Sequence, residues 1–369
     1  MQNVVEPTAA PAEAPGVWPR VLPFIVLTFG LTWLLDLAIF LRGGLTQSST
    51  LVALQLQMLL PATSVILLGF FSTRYGPARV RQSTGQARWF FVIFIALAIL
   101  FVGIAVVSFA VPALAQSLAS AGSLLALLSA VVLLVLRLAG GRESFVKAGL
   151  TFGKPVNWLV YGLGIVAFYA VMAALNYAFG LGAVPDQAAV AKASGLPLET
   201  FLVAAAVQTV ILGPLVGIVI AFGEEYGWRG FLQGELIKLG RVRGILAVGV
   251  IWGFWHAPII AMGYNFPGYP VLGIFLMVVY CVVLGFVLGY AVLKTGSIWL
   301  AAFLHAINNQ VVSFIVVVIY APHNPVFQFE SGLYGAIIGA LVVLLILRDP
   351  VWKVRPSAQS PSAQEQGLT

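Results

Sequence analysis

The chain has 369 residues, of which 61% are hydrophobic and only 8% are charged, and its formal net charge is +7. A soluble domain carries about 25% charged residues, so this composition excludes a soluble globular protein and indicates an integral membrane protein. The single cysteine, Cys281, lies in an apolar run, which excludes a disulfide framework and a cysteine metal site.

Apolar runs of about 20 residues follow one another along the chain, a pattern typical of transmembrane helices and not of barrel strands. We predict an all-α fold, a polytopic transmembrane helical bundle of about ten spans. The predicted spans are about 21–41, 51–72, 89–115, 122–138, 158–180, 203–232, 244–262, 271–293, 297–320 and 332–348. Residues 20–355 are predicted to form a single membrane domain, and the polar tails 1–19 and 356–369 to be disordered.

The basic residues indicate how the bundle is oriented. With the N-terminus in the cytoplasm, all 19 Lys and Arg residues except Arg42 and Lys192 fall on the cytoplasmic side of the predicted spans. The positive-inside rule therefore favours an even number of spans with both termini cytoplasmic. The same distribution accounts for the positive charge without nucleic acid, so the expected partners are membrane lipids. Short loops favour a multi-pass protein of the bacterial cytoplasmic membrane over one of the endoplasmic reticulum.

Few acidic residues or histidines fall inside the predicted spans. They are Asp36 in the first span, Glu224 and Glu225 in the sixth, His256 in the seventh and His305 in the ninth. Ionisable groups within a span cost about 2.5–3.5 kcal/mol each on insertion scales, which makes them candidates for function. Asp36 is more simply explained as a polar partner between helices.

Three of these helices bring ionisable groups to a similar depth. Counted from the predicted cytoplasmic ends, Glu224, His256 and His305 lie about 11, 12 and 8 residues into their helices, or about 16, 18 and 12 Å. We therefore expect these three side chains to converge in the cytoplasmic half of the bilayer.

Spacing within the sixth span separates the two glutamates. Glu225 and Arg229 are four residues apart, so they share a helix face and are expected to pair. Glu224 points about 100° away and is left free for another partner.

The other two helices present polar groups in the same way. Trp252 lies one turn before His256 on the same face, and Pro258 is expected to kink the helix just beyond. His305 and Asn309 are four apart and present an imidazole and a carboxamide together.

A carboxylate, two imidazoles and an amide together can hydrolyse an amide bond. The carboxylate takes a proton from water, one imidazole orients it, and the remaining donors stabilise the developing oxyanion. Taken singly, a histidine in a span is more simply a packing residue, and Glu225 with Arg229 a structural ion pair. Their occurrence at one depth on three helices favours a site.

The motifs resemble those of a known family. EEYGWR (224–229) fits EExxxR, WGFWH (252–256) fits aromatic-xxx-His, and HAINN (305–309) fits HxxxN, in that order and on separate helices. Over residues 200–320 the chain thus resembles the CAAX-processing and bacteriocin-processing (CPBP, or Abi) intramembrane proteases, which include the type II CAAX prenyl endopeptidase. One minor departure is Trp252, where the motif is often written with phenylalanine.

The resemblance implies an intramembrane endopeptidase that hydrolyses membrane-associated or lipidated, hydrophobic peptides. It assigns Glu224 and His256 to the activation of water, and His305 and Asn309 to the oxyanion. The residues that it assigns to support of the site are Glu225, Arg229 and Trp252.

The cofactor and two other functions stay open. Either no cofactor is needed, or one divalent metal such as zinc is held by Glu224, Glu225, His256 and His305, although the chain has no HExxH motif. The first alternative function is a membrane immunity or adaptor protein that binds a peptide partner without cleaving it. The second, less favoured, is a proton-coupled transporter.

Overall fold

The computed structural model describes residues 16–353, and its secondary structure is almost entirely helical. The α-helices are α1 (Val17–Leu41), α2 (Thr50–Phe71), α3 (Ala78–Arg81), α4 (Gly85–Ala110), α5 (Ala115–Ala139), α6 (Arg142–Lys147), α7 (Pro155–Ala178), α8 (Gln187–Ala193), α9 (Leu198–Val207), α10 (Gly213–Glu225), α11 (Gln233–Leu236), α12 (Arg241–Trp255), α13 (Ala257–Ala261), α14 (Pro270–Thr295), α15 (Ile298–Phe314) and α16 (Leu333–Ile346). Segments of π-helix span Gln208–Leu212, Tyr226–Leu232 and Ile315–Ile319, and 3-10 turns span Gly44–Thr46, Pro112–Leu114, Ile237–Leu239 and Pro350–Lys353. The strands β1 (Gly182–Ala183) and β2 (Ala321–Pro322) pair antiparallel, with Gly182 opposite Pro322.

The all-α membrane bundle predicted from the sequence is confirmed. Within residues 16–353, eight helices are long and apolar enough to cross a membrane. The predicted count of ten is not confirmed, because 244–262 is divided at His256 into α12 and α13, and 332–348 contains only the 14-residue α16. The predicted tails lie outside the described residues except at 16–19, and of these residues 17–19 already belong to α1.

The sixth predicted span belongs to one helical run from Leu198 to Leu239. Within it the backbone changes from α to π immediately after Glu225, at Tyr226. Turns of π-helix are rare, and many of those that occur are found at functional sites. The extra residue in such a turn changes which side chains face a neighbouring helix. Here the change begins directly beside the two glutamates.

Glycines set the closest approaches between helices around the glutamates. A Cβ placed on Gly223 would meet the backbone of Met58, and one on Gly227 would meet Pro61. α2 therefore passes directly against the segment that carries Glu224 and Glu225. On the other side of the site, glycines of α12 lie against the α14 backbone in the same manner.

The two ends of the bundle differ in charge. At one end Arg20 pairs with Glu235 at 3.1 Å, and Lys294 pairs with Asp349 at 2.9 Å. Arg79 reaches the carbonyl of Gly230 at this same end. We call it the basic end; it is the end predicted to be cytoplasmic.

The opposite end, which we call the loop end, consists of residues 262–269 and 320–332 together with β1. Several hydrogen bonds fix these loops to each other and to the helices below. They run from Asn324 Nδ2 to Tyr269 OH at 2.9 Å, between Tyr320 OH and both the N and the O of Gly182 at 2.7 Å, and from Phe329 N to Asn176 Oδ1 at 2.9 Å.

Candidate active site

Glu225 is the centre of a buried ion cluster. Its Oε1 accepts a hydrogen bond from Arg229 Nη1 at 2.9 Å and lies 2.8 Å from His305 Nδ1 on α15. The pair predicted from the i,i+4 spacing is therefore present, and a histidine joins it. Removing one partner of a buried ion pair leaves an uncompensated charge, so Arg229 and Glu225 depend on each other.

Glu224 has different partners from its neighbour. Its Oε2 accepts hydrogen bonds from the indole Nε1 of Trp252 at 2.7 Å and from that of Trp228 at 3.3 Å. The side chain is buried, and hydrogen bonds to the charged form of a carboxylate stabilise that form. The guanidinium of Arg229 lies 4.1 Å from the centroid of the Trp252 ring. Trp252 therefore contacts both Glu224 and the ion cluster around Glu225.

His256 occupies the break between α12 and α13, with Pro258 in the first turn of α13, as the predicted kink requires. Its Nδ1 lies 2.9 Å from the carbonyl oxygen of Trp252. A carbonyl only accepts, so Nδ1 carries the proton and Nε2 of the neutral ring is left with its lone pair. The half-buried ring packs edge-on against Trp255 with centroids 4.7 Å apart.

The two asparagines of α15 have separate environments. Asn309 is exposed to the interior space of the site, and its Oδ1 accepts from Asn308 Nδ2 at 3.1 Å. Asn308 is buried, and its Oδ1 accepts from Tyr169 OH at 2.6 Å and from Tyr280 OH at 3.0 Å. Since the Oδ1 of Asn309 is used, its Nδ2 is the group that it offers to a ligand.

One cavity of about 480 Å³ is lined by all four residues assigned to chemistry, Glu224, His256, His305 and Asn309. It does not end at the glutamates but extends to the loop end, where Tyr264 and residues 321–331 form part of its wall. The convergence predicted from depth is therefore present, and the space leads away from the basic end.

Of the four residues considered as metal ligands, each glutamate already uses one of its two oxygens in hydrogen bonds. Glu225 Oε1 is shared by Arg229 and His305, and Glu224 Oε2 by two indoles. Among residues 16–353 no group of three or more His, Cys, Asp and Glu side chains is arranged to hold a metal ion. Glu225 Oε2 and the Nε2 atoms of His256 and His305 are not used in these hydrogen bonds, so the residues retain donor atoms for one divalent metal.

The sequence analysis did not identify three residues of the site. Trp228 lies four residues after Glu224, so the spacing that paired Glu225 with Arg229 would have found it. Gln328 and Glu330 also line the cavity, from the loop that follows the ninth predicted span. No periodicity marks a loop residue as part of a site.

Asp36 does not find the polar partner expected for it. The side chain is buried in α1, and neither carboxylate oxygen has a hydrogen-bond partner in the part of the chain that the structure describes. It does not line the cavity of the four site residues.

A protein-family model matches part of the chain. Residues 206–311 match the family described as type II CAAX prenyl endopeptidase Rce1-like. The matched segment contains the two glutamates, Arg229, both histidines and Asn309. Comparison with curated proteins and with solved structures gives no match to this chain.

Proposed function

We propose that this chain, which over residues 206–311 matches the type II CAAX prenyl endopeptidase Rce1-like family, is an intramembrane endopeptidase. Its proposed substrates are membrane-associated or lipidated peptides. The observation that carries the proposal is the single cavity shared by Glu224, His256, His305 and Asn309. Packing alone would require these polar groups to have partners, but it would not require them to surround an open space.

Glu224 is the proposed general base. Its Oε2 is held by two indole N–H groups, which leaves Oε1 to accept a proton from water. The unprotonated Nε2 of His256, which faces away from its backbone partner, orients the same water. The water oxygen then bonds to the carbonyl carbon of the scissile peptide, and Glu224 later returns the proton to the leaving amine as the C–N bond breaks.

Oxyanion stabilisation is assigned to α15. Asn309 offers Nδ2, and His305 donates from Nε2 when both of its ring nitrogens carry protons. Glu225 fixes the orientation of the His305 ring through Nδ1, and Arg229 in turn fixes Glu225. These two residues are positioning residues in this mechanism.

The proposed chemistry runs through the chain's own carboxylate and imidazoles, and no step is assigned to a metal. Glu225 Oε1 is held by Arg229 and by His305, so in this mechanism it serves to position the His305 ring. We propose a mechanism without a cofactor, and the chelator arm of the test below checks it against one that uses a divalent metal.

The substrate is proposed to reach the cavity from the loop end. The positive-inside rule puts that end on the extracytoplasmic side of the membrane. The proposed location is the bacterial cytoplasmic membrane.

The test uses the purified full chain in lipid nanodiscs with a fluorogenic library of lipidated and transmembrane peptides. Wild type, Glu224→Gln and His256→Ala are compared, each with and without a chelator, and thermal unfolding verifies that each variant is folded. Cleavage by wild type alone, unchanged by chelator, is the expected result.

Two outcomes would contradict the proposal. Cleavage retained by Glu224→Gln would remove the base from the mechanism. Absence of cleavage, combined with full cellular function of the Glu224→Gln variant, would instead support the immunity or adaptor function.

A further inference from the structure

Glu330 is a buried acid without a partner. It lies in the loop 320–332, is 4% exposed, and its Oε1 has no hydrogen-bond partner within residues 16–353. The other buried glutamates differ, since Glu225 has Arg229, Glu235 has Arg20 and Glu224 accepts two indole hydrogen bonds. Burial raises the pKa of Glu330 to about 7. Its carboxylate therefore lacks the charge that would stabilise it.

A second unpartnered acceptor lies two residues away. Gln328 is also 4% exposed; its Nε2 donates to Pro325 O and Ser331 Oγ, while its Oε1 has no partner in the described part of the chain. We call Gln328 and Glu330 the acceptor pair. Buried polar atoms are nearly always hydrogen-bonded, so two unfilled acceptors in one short segment indicate a missing donor.

Both members of the acceptor pair line the same cavity as Glu224 and His305. Glu330 also lines a second cavity of about 280 Å³ between α7, α14 and α16. It thus belongs to the wall that separates the two spaces, together with Tyr280 and Asn308. A ligand in the catalytic cavity reaches the acceptor pair without crossing a packed layer.

Among the described residues, no cationic side chain pairs with Glu330. The oxygen of Asn308 in the same wall is already used by Tyr169 and Tyr280. A group that both neutralises a carboxylate and donates several hydrogen bonds is an ammonium or a guanidinium. Such a group is the one that this wall lacks.

We propose that the acceptor pair is a specificity subsite that binds a cationic side chain of the peptide substrate, lysine or arginine, at the loop end of the catalytic cavity. This inference rests on the proposed function, since it names the kind of peptide that the same cavity takes. A hydrogen bond to a charged group is strong enough to favour a lysine over an apolar residue roughly tenfold or more.

The test separates binding from cleavage. The full chain carrying Glu224→Gln, in nanodiscs of phosphatidylcholine, is titrated with fluorescent apolar peptides that are blocked at both termini. Each peptide has one lysine at a different position, and its control has norleucine there, so that lysine is the only cation. We expect one lysine position to bind about tenfold tighter than its norleucine control, and Glu330→Gln to abolish that preference.

Asp36→Asn is the matched control, because Asp36 is also buried and unpartnered but does not line the cavity; it should keep the preference. Equal binding of all lysine and norleucine pairs, or a preference that survives Glu330→Gln, would overturn the subsite. Wild-type cleavage of the same peptides is measured separately and bears only on the proposed endopeptidase activity.

Discussion

Trp252 donates its indole N–H to Glu224 Oε2 at 2.7 Å, the shorter of the two indole hydrogen bonds to that carboxylate. A phenylalanine, the residue with which the motif is often written, has no such donor. The substitution of one aromatic residue for another, which sequence reasoning treats as minor, therefore changes the hydrogen bonding of the proposed base.

Trp252→Phe is expected to keep the ring over Arg229 but to lose the hydrogen bond. Because hydrogen bonds to charged groups contribute about 1.5–3 kcal/mol, kcat should fall roughly 10- to 100-fold with little change in KM. Steady-state cleavage kinetics measure the effect. Trp299→Phe is the control, since the Trp299 indole N–H has no partner among the described residues. An unchanged kcat for Trp252→Phe would contradict a role for the indole.

Substitutions of the two adjacent glutamates should have different effects, one on activity and the other on stability. Glu224→Gln keeps an oxygen for both indoles, so thermal unfolding should change little while cleavage is lost. Glu225→Gln leaves the Arg229 charge buried and unpaired, which costs about 3–5 kcal/mol of the free energy of unfolding. Thermal melts of both variants in the same nanodiscs test this contrast, and equal melting temperatures would refute it.

Gly227→Ala is expected to lower both stability and activity. The added Cβ would collide with Pro61 of α2, so the helices must separate beside Glu224. Overpacking of this kind costs typically about 1–3 kcal/mol. Gly234→Ala provides the control, because a Cβ there meets nothing within 4 Å. The prediction fails if the two alanine variants melt at the same temperature as wild type.

The stability of the chain should depend on the ionisation of Glu330. With its pKa raised from 4.5 to about 7 in the folded state, the fold loses stability as pH rises from about 4.5 to about 7, since the unfolded chain ionises first. Glu330→Gln removes this loss, so its advantage over wild type should be a few degrees in Tm at pH 8 and vanish near pH 4. Tyr169 and Tyr280 line a cavity wall together with Glu330, and the ordinary pKa of a tyrosine, about 10, lies above this range. A constant Tm difference across pH would be the contrary result.

Orientation can be measured with single cysteines in a Cys281→Ser background. His323→Cys at the loop end should react with a membrane-impermeant maleimide in intact bacterial cells. Lys238→Cys at the basic end should react only after permeabilisation, because the positive-inside rule puts it in the cytoplasm. The reversed labelling pattern would place the mouth of the cavity in the cytoplasm.

Helical spacing was enough to predict the contacts within one helix. Glu225 with Arg229, and the shared face of His305 and Asn309, follow from the 3.6-residue period. Depth along each span likewise predicted that three helices would meet. These inferences depend only on the rise per residue and on the membrane boundaries.

Contacts between helices could not be predicted from the sequence and are known only from the structure. That His305 pairs with Glu225 and not Glu224 depends on how α15 is rotated against α10, and a π-helical segment begins at that point. The acceptor pair lies in a loop, where no period relates sequence position to direction. The closeness of α2 to the glutamates likewise depends on the backbone approach at Gly223 and Gly227.

The hydrogen bonds of Tyr320 and Phe329 hold both ends of the loop segment that carries the acceptor pair. Asn324 ties the middle of that segment to Tyr269. These contacts hold the loop segment at both ends and in the middle, so it is not free to move as a hinged lid. The loops at this end of the cavity are therefore held in one arrangement by the fold itself, before any ligand binds.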